Sequence, residues 1–311
     1  MRCPKKLIEL AWFLKLVCLL LISSPSSSSS NLKSEFIGSG QCKSCHLEIF
    51  RKWESSHHFR SMQIATDQTV LGNFDGQTLF AHNITHKFFR RNNDYFINTL
   101  NRAANYEDFK IEHTFGFSPL QQYLVKIGDG KLQALNVAWD SRPKEQGGQR
   151  WFHLHPNEDI APEHPFHWSN HLANWNSRCA DCHSTNLNKN FDSASASYSS
   201  TFSEINVSCE ACHGPASRHL EWIKNGQLAA NKGFDAQKIP PVSWIHHPGD
   251  AIAKPKGMVT EREVNMCGSC HSRRVQIEEA IPLANFHDHY AVETLGQDLY
   301  FADGQIKDEV F

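Results

Sequence analysis

The pentapeptide Cys-x-x-Cys-His occurs four times, as CKSCH at 42–46, CADCH at 179–183, CEACH at 209–213 and CGSCH at 267–271, and no other feature constrains this chain as strongly. With 10 cysteines and 19 histidines among 311 residues, chance would supply only about 0.02 copies of the pattern. One chemistry must therefore account for all four. Eight cysteines lie in the repeats, and the other two, Cys3 and Cys18, fall within the first eighteen residues, so the folded body has no cysteine left over for a disulfide.

Two thiols three residues apart can each add across a vinyl group on one edge of a porphyrin, while the next residue swings beneath the iron; histidine there supplies the proximal nitrogen. Zinc would use paired Cys-x-x-Cys units as four thiolates and has no need of a histidine after each pair. Thioredoxin-like dithiols do not come in fours, and disulfides closed within each pair would staple almost nothing. The spacing assigns four covalently attached haem c groups. Cys42, Cys45, Cys179, Cys182, Cys209, Cys212, Cys267 and Cys270 are the thioether donors, and His46, His183, His213 and His271 the proximal iron ligands.

Each iron then needs a sixth ligand or an open face. Only Met62, Met258 and Met266 are internal methionines, whereas fifteen histidines remain outside the motifs. Mostly bis-histidine ligation is expected, which holds potentials low. The candidates are His58, one or two turns after the first motif; His167, before Trp168 and the second motif; His219, six residues after His213; and His289. His171, His246, His247 and His287 are reserves. Taken singly, each also has an ordinary reading as a surface or core histidine.

Arg2, Lys5 and Lys6 followed by the mostly apolar run 7–22 and the stretch SSPSSSSS read as an export signal and linker over 1–30. The run is short for a membrane span and carries Glu9 and Lys15, which favours a cleaved signal over an anchor. Export agrees with haem c attachment, which takes place outside the bacterial cytoplasmic membrane, and points to a periplasmic or other extracytoplasmic location. Any membrane association is expected to be transient and to run through the N-terminus. A formal charge of −2 gives no electrostatic case for nucleic acid. Nothing in the sequence sets an oligomeric state.

The expected fold is α+β with much irregular structure: short helices around stacked haems plus a β-rich insert. A first haem segment covers 31–73, with helical signals in HLEIFRKWESSHHFRSM. The cysteine-free insert covers 74–156, where KFFRRNNDYFINTL and YLVKIGDGKLQALNVAWD alternate apolar and polar residues around Asn-Asn-Asp and Gly-Asp-Gly turns and predict hairpins. A three-haem segment follows over 157–285, with a helix in PASRHLEWIKNG, a flexible loop over 192–203 and irregular chain near 231–257. The closing segment 286–311 ends at ADGQIKDEVF without a capping residue, as a fragment would.

The phrases CKSCHLEIFRKWESSHHFRSM, HTFGFSPLQQYLV, ALNVAWDSRP, GGQRWFHLHP, HWSNHLANWNSRCADCHSTNL, VSCEACHGPASRH, CGSCHSRR and YFADGQIKDEVF together resemble multihaem c-type cytochromes of the cytochrome c-554 kind, especially the exported group carrying tetratricopeptide repeats. The resemblance implies a haem-stacking domain with His58, His167 and His219 as distal ligands, and a chain that continues past the Asp-Glu-Val phrase. The function expected is electron transfer between redox partner proteins through small, transient contacts. The alternative is a multihaem oxidoreductase acting on small nitrogen or sulfur compounds at one open haem. No Cys-x-x-Cys-Lys motif is present, which sets aside the pattern of pentahaem nitrite reductases.

Overall fold

Alternation of buried and exposed side chains along residues 84–100 builds the centre of a large antiparallel sheet. In the computed structural model, which describes residues 33–226, 231–234, 243–257, 261–278, 284–302 and 307, strands β1 (Met62–Ile64), β2 (Gln77–Ala81), β3 (Ile84–Arg91), β4 (Asp94–Leu100), β5 (Tyr106–Phe115), β6 (Leu120–Lys126), β7 (Leu132–Ala134), β8 (Val137–Asp140) and β9 (Arg150–His153) form one nine-stranded sheet. The export segment, Met258 and the closing DEVF lie outside the described residues. The main order is β2-β3-β4-β5-β6-β8-β9, with β1 paired to β5 and β7 to β6.

On β3 the inward residues are Ile84, His86 and Phe88, and on β4 they are Tyr95, Ile97 and Thr99. This is the two-residue period that a half-buried strand requires. Both expected hairpins are present. Asn92 turns β3 into β4 with φ 57°, and Asp129 and Gly130 turn β6 into β7 with φ 62° and 68°, the left-handed pair that suits a tight hairpin. The sheet curls, because Phe88 on β3 stacks on Trp151 of β9, far along the strand order, with ring centroids 3.6 Å apart and planes 1° from parallel. Phe74 packs edge-on against Phe88, Tyr95, Tyr123 and Trp151 inside the curl.

Elsewhere the elements are short helices: α1 (Ser39–Cys42), α2 (Leu47–Glu54), α3 (His57–Arg60), α4 (Trp175–Arg178), α5 (Ala180–His183), α6 (Cys209–His213), α7 (Ser217–Lys224), α8 (Glu261–His271) and α9 (Phe286–His289). The helix expected in PASRHLEWIKNG is α7. Two expectations need correction. The serine-rich loop 192–203 is a small hairpin, with Phe191 and Asp192 paired to Tyr198 and Ser197, because the Asp192 carboxylate accepts from Ala194 N and Ser195 Oγ and tightens the turn. Within 231–257, Ser243–Ile245 pairs with Lys254–Lys256. The sheet and the helices share a second core, in which Met62, Leu124, Trp175 and Ala180 are buried beside Phe115, Leu132 and Cys179. No described helix is long and apolar enough to cross a membrane.

Candidate functional site: the four Cys-x-x-Cys-His turns

Each motif is wound into a helical turn. His46 N donates to Cys42 O at 2.9 Å and His183 N to Cys179 O at 3.0 Å; the third motif is α6 itself and the fourth closes α8. Positions i, i+3 and i+4 of a helix share one face, so both thiols and the imidazole are carried on the same side of the turn. Local capping fixes where these turns begin. Ser208 Oγ accepts from Glu210 N at the start of α6, and Asn174 Oδ1 accepts from Ser177 N at the start of α4.

The turns are brought together in the order first, third, fourth, second. The Cys42 and Cys209 thiols hydrogen bond, as do those of Cys182 and Cys270, and Cys212 lies within Coulombic reach of Cys267 and Cys270. In the free-thiol chain these bonds hold Cys42 and Cys270 below the usual thiol range and push Cys209 and Cys182 above it. Desolvation drives three of these histidines toward the neutral form that binds metal. His183 is pushed down to about 4, and His213 and His58 are lowered, by desolvation first and neighbouring histidines second.

A buried carboxylate joins the first and third turns. Glu210, 1% exposed, accepts from Ile37 N, Gly38 N and Ala216 N. Glu204 accepts from Ser39 N, and Trp53 Nε1 donates to Val207 O. These groups clamp the first haem segment onto 204–216, and sequence reading missed Glu210 because the second position of Cys-x-x-Cys carries no chemical demand of its own.

Only the fold shows which motif each non-motif histidine stands near. His219 stands beside His46, with ring centroids 6.4 Å apart, and not beside His213. His58 stands beside His271, at 6.1 Å, and not beside the motif it follows in sequence. A metal–imidazole bond of about 2 Å plus about 1 Å from nitrogen to ring centre, on both sides of one metal, gives a centroid separation of roughly 6 Å. Both pairs fit a haem iron held between them. His219 Nδ1 donates to Lys232 O at 2.8 Å, which leaves Nε2 as the ligating atom, the usual way an outer carbonyl orients a metal-binding imidazole.

His167 and His289 are placed otherwise. His167 is buried at one end of the sheet near His86, its Nδ1 on Ser169 Oγ at 2.8 Å, and makes no ring contact with a motif histidine among the described residues. His289 closes α9 with Nδ1 buried and without a hydrogen-bond partner among the described residues. Beside the second motif is a cavity of about 320 Å³ lined by Cys179, Cys182, His183 and Cys270 together with apolar side chains and His155. Its mixed apolar wall suits a flat ring system, and Phe115 meets the His183 ring edge-on at 4.7 Å. His155 was not among the sequence candidates; its signal was the HLHP step directly after an apolar strand.

Residues 41–77 and 145–214 match the family described as cytochrome c554 and c-prime. The first three motifs fall within the match, and the interval 78–144 and the fourth motif outside it. No curated protein matches the chain. Among solved structures, the outer cell wall cytochrome OcwA is similar with 18% identity and a TM-score of 0.49 over 84% of this chain, which spans 45% of that protein's length.

Proposed function

We propose that this chain, whose residues 41–77 and 145–214 match the cytochrome c554 family, is an extracytoplasmic tetrahaem c-type cytochrome that passes single electrons between redox partner proteins. Bound haem supplies the one-electron iron couple. The chain's own residues do the rest: the eight motif thiols anchor the rings, the motif histidines bind beneath them, and the succession of turns sets the order in which neighbouring sites communicate, from the first through the third and fourth to the second. The single observation carrying this reading is the pairing of His46 with His219 and of His271 with His58 at the separation two imidazoles keep across one metal. On this reading the first and fourth sites are bis-histidine and low in potential. The segment 43–49, exposed throughout, is the docking side for a partner at the first site.

The test is electron paramagnetic resonance on the haem-loaded protein and on His219→Ala and His58→Ala variants. Each variant should convert one low-spin haem to high-spin and raise one midpoint potential, while a pyridine haemochrome assay still counts four haems. Unchanged spectra in both variants would overturn the ligand assignment.

A second reading, a multihaem oxidoreductase acting on a small nitrogen or sulfur compound, is favoured by one observation. His183 borders the cavity, and His155, the non-motif histidine that lines the same cavity, makes no ring contact with it among the described residues. Stoichiometric cyanide binding to a single ferric haem supports that reading; no binding leaves electron transfer alone.

A further inference from the structure

The curled sheet carries a second group of imidazoles with no haem motif among them. His86 on β3, His153 at the end of β9 and His167 are each less than one-tenth exposed, and His82, in the β2–β3 turn, adjoins them. Three of the four come from stretches that only the fold brings together. His86 Nδ1 is tied to Thr99 Oγ1 at 2.9 Å and His167 Nδ1 to Ser169 Oγ at 2.8 Å. Both rings are thereby fixed through Nδ1, while both Nε2 atoms are buried with no hydrogen-bond partner among the described residues. A buried polar atom left unpaired costs about 1–3 kcal/mol, so two in one neighbourhood point to an occupant that pairs with both.

We propose that His86 and His167, completed by His153 or His82, form a binding site for one late first-row divalent transition metal, separate from the haem irons. Donor type selects this class, since imidazole nitrogens suit zinc, copper and nickel and do not suit calcium or magnesium. Outer hydrogen bonds to Thr99 and Ser169 orient the two rings as second partners of metal-binding histidines do. His86 and His153 have ring centroids 6.4 Å apart, somewhat more than the roughly 5 Å of two imidazoles on one tetrahedral ion, so the rings must draw together as the ion binds. Glu163, within Coulombic reach of His167, offsets part of the charge. Among the described residues no three donors already converge on one point. The site closes when the hydrogen bond between His82 Nε2 and His153 Nδ1, 3.1 Å long, opens and frees His82 Nε2, while His153 Nδ1 still accepts from His155 N at 3.1 Å.

The proposal is tested by stripping the haem-loaded protein with a chelator, equilibrating it with zinc chloride and measuring zinc against iron by elemental analysis after gel filtration, with calorimetry for the affinity. One zinc per four irons is expected in the unaltered protein, with affinity lowered at least about tenfold in His86→Gln and in His167→Gln. The haem-to-protein ratio shows that each variant has folded. Should either variant lose haem, His82→Gln and His153→Gln decide: weaker zinc binding in either supports the site, and unchanged binding in both overturns it. Absence of stoichiometric zinc in the unaltered protein, or equal uptake by the folded variants, also overturns it. The haem count and the zinc count fail independently.

Discussion

At the scale of single residues, the consequential groups outside the motifs are polar and buried. Glu210 uses both carboxylate oxygens on three backbone N–H groups, and an amide there turns one of those oxygens into a donor facing donors. Glu210→Gln should cost about 1–3 kcal/mol, read by guanidinium unfolding of the haem-loaded protein; an unchanged midpoint would show that the clamp contributes nothing. His113 on β5 is pushed down to about 4 from 6.5 by burial. The unfolded chain therefore takes up a proton below pH 6.5 that the folded chain refuses until about pH 4, so stability present above pH 6.5 drains away across that interval, by up to roughly 3 kcal/mol. A His113→Gln variant should show a shallower fall in melting temperature between pH 7 and 4. Equal slopes in the two proteins would count against this. The motif cysteines and histidines were readable in the sequence because their spacing is local. Glu210 and His155 were not, because their partners come from other segments.

Among elements, the hairpins were legible and the closure of the sheet was not. Turn residues with left-handed backbone, Asn92 and Asp129-Gly130, announce β3–β4 and β6–β7 from their immediate neighbours alone. Gly130 also has a tertiary reason, since a Cβ there would stand 1.9 Å from Tyr198 O. The three-residue strand β1 has no periodicity to read and is recruited by β5 through the register Met62 with Phe115. The curl rests on Phe88 stacked against Trp151, both in the interior. Phe88→Ala should destabilise the protein by about 3–5 kcal/mol, measured by denaturant titration followed through tryptophan fluorescence; a loss under about 1 kcal/mol would show that β3 and β9 do not support one another.

For the molecule as a whole, the sheet and the haem-binding turns are not independent bodies. Phe115, Leu124, Leu132 and Ala134 from the sheet pack with Trp175, Cys179 and Ala180 around the second motif. Deleting residues 74–156 should strip that turn of its backing. The haemochrome count should then fall below four, and mass spectrometry should find the CADCH peptide without its haem. Full incorporation would identify the sheet as an appendage. Ligand pairing also belongs to this scale: the sequence offered His58 and His219 as candidates without a partner motif, and the fold sets His58 beside the fourth motif and His219 beside the first.

What the sequence determined by itself is the chemistry that lies within a turn or two of chain: four paired thiols with an adjacent imidazole, and hairpins specified by their turn residues. Tertiary structure alone decided which distant imidazole faces which motif, the succession of the turns, and the gathering of His82, His86, His153 and His167. The physical reason is that spacing along the chain fixes relative position only where the backbone path between two groups is regular. Beyond that range, burial of Trp175, Met62 and Glu210 decides which surfaces meet.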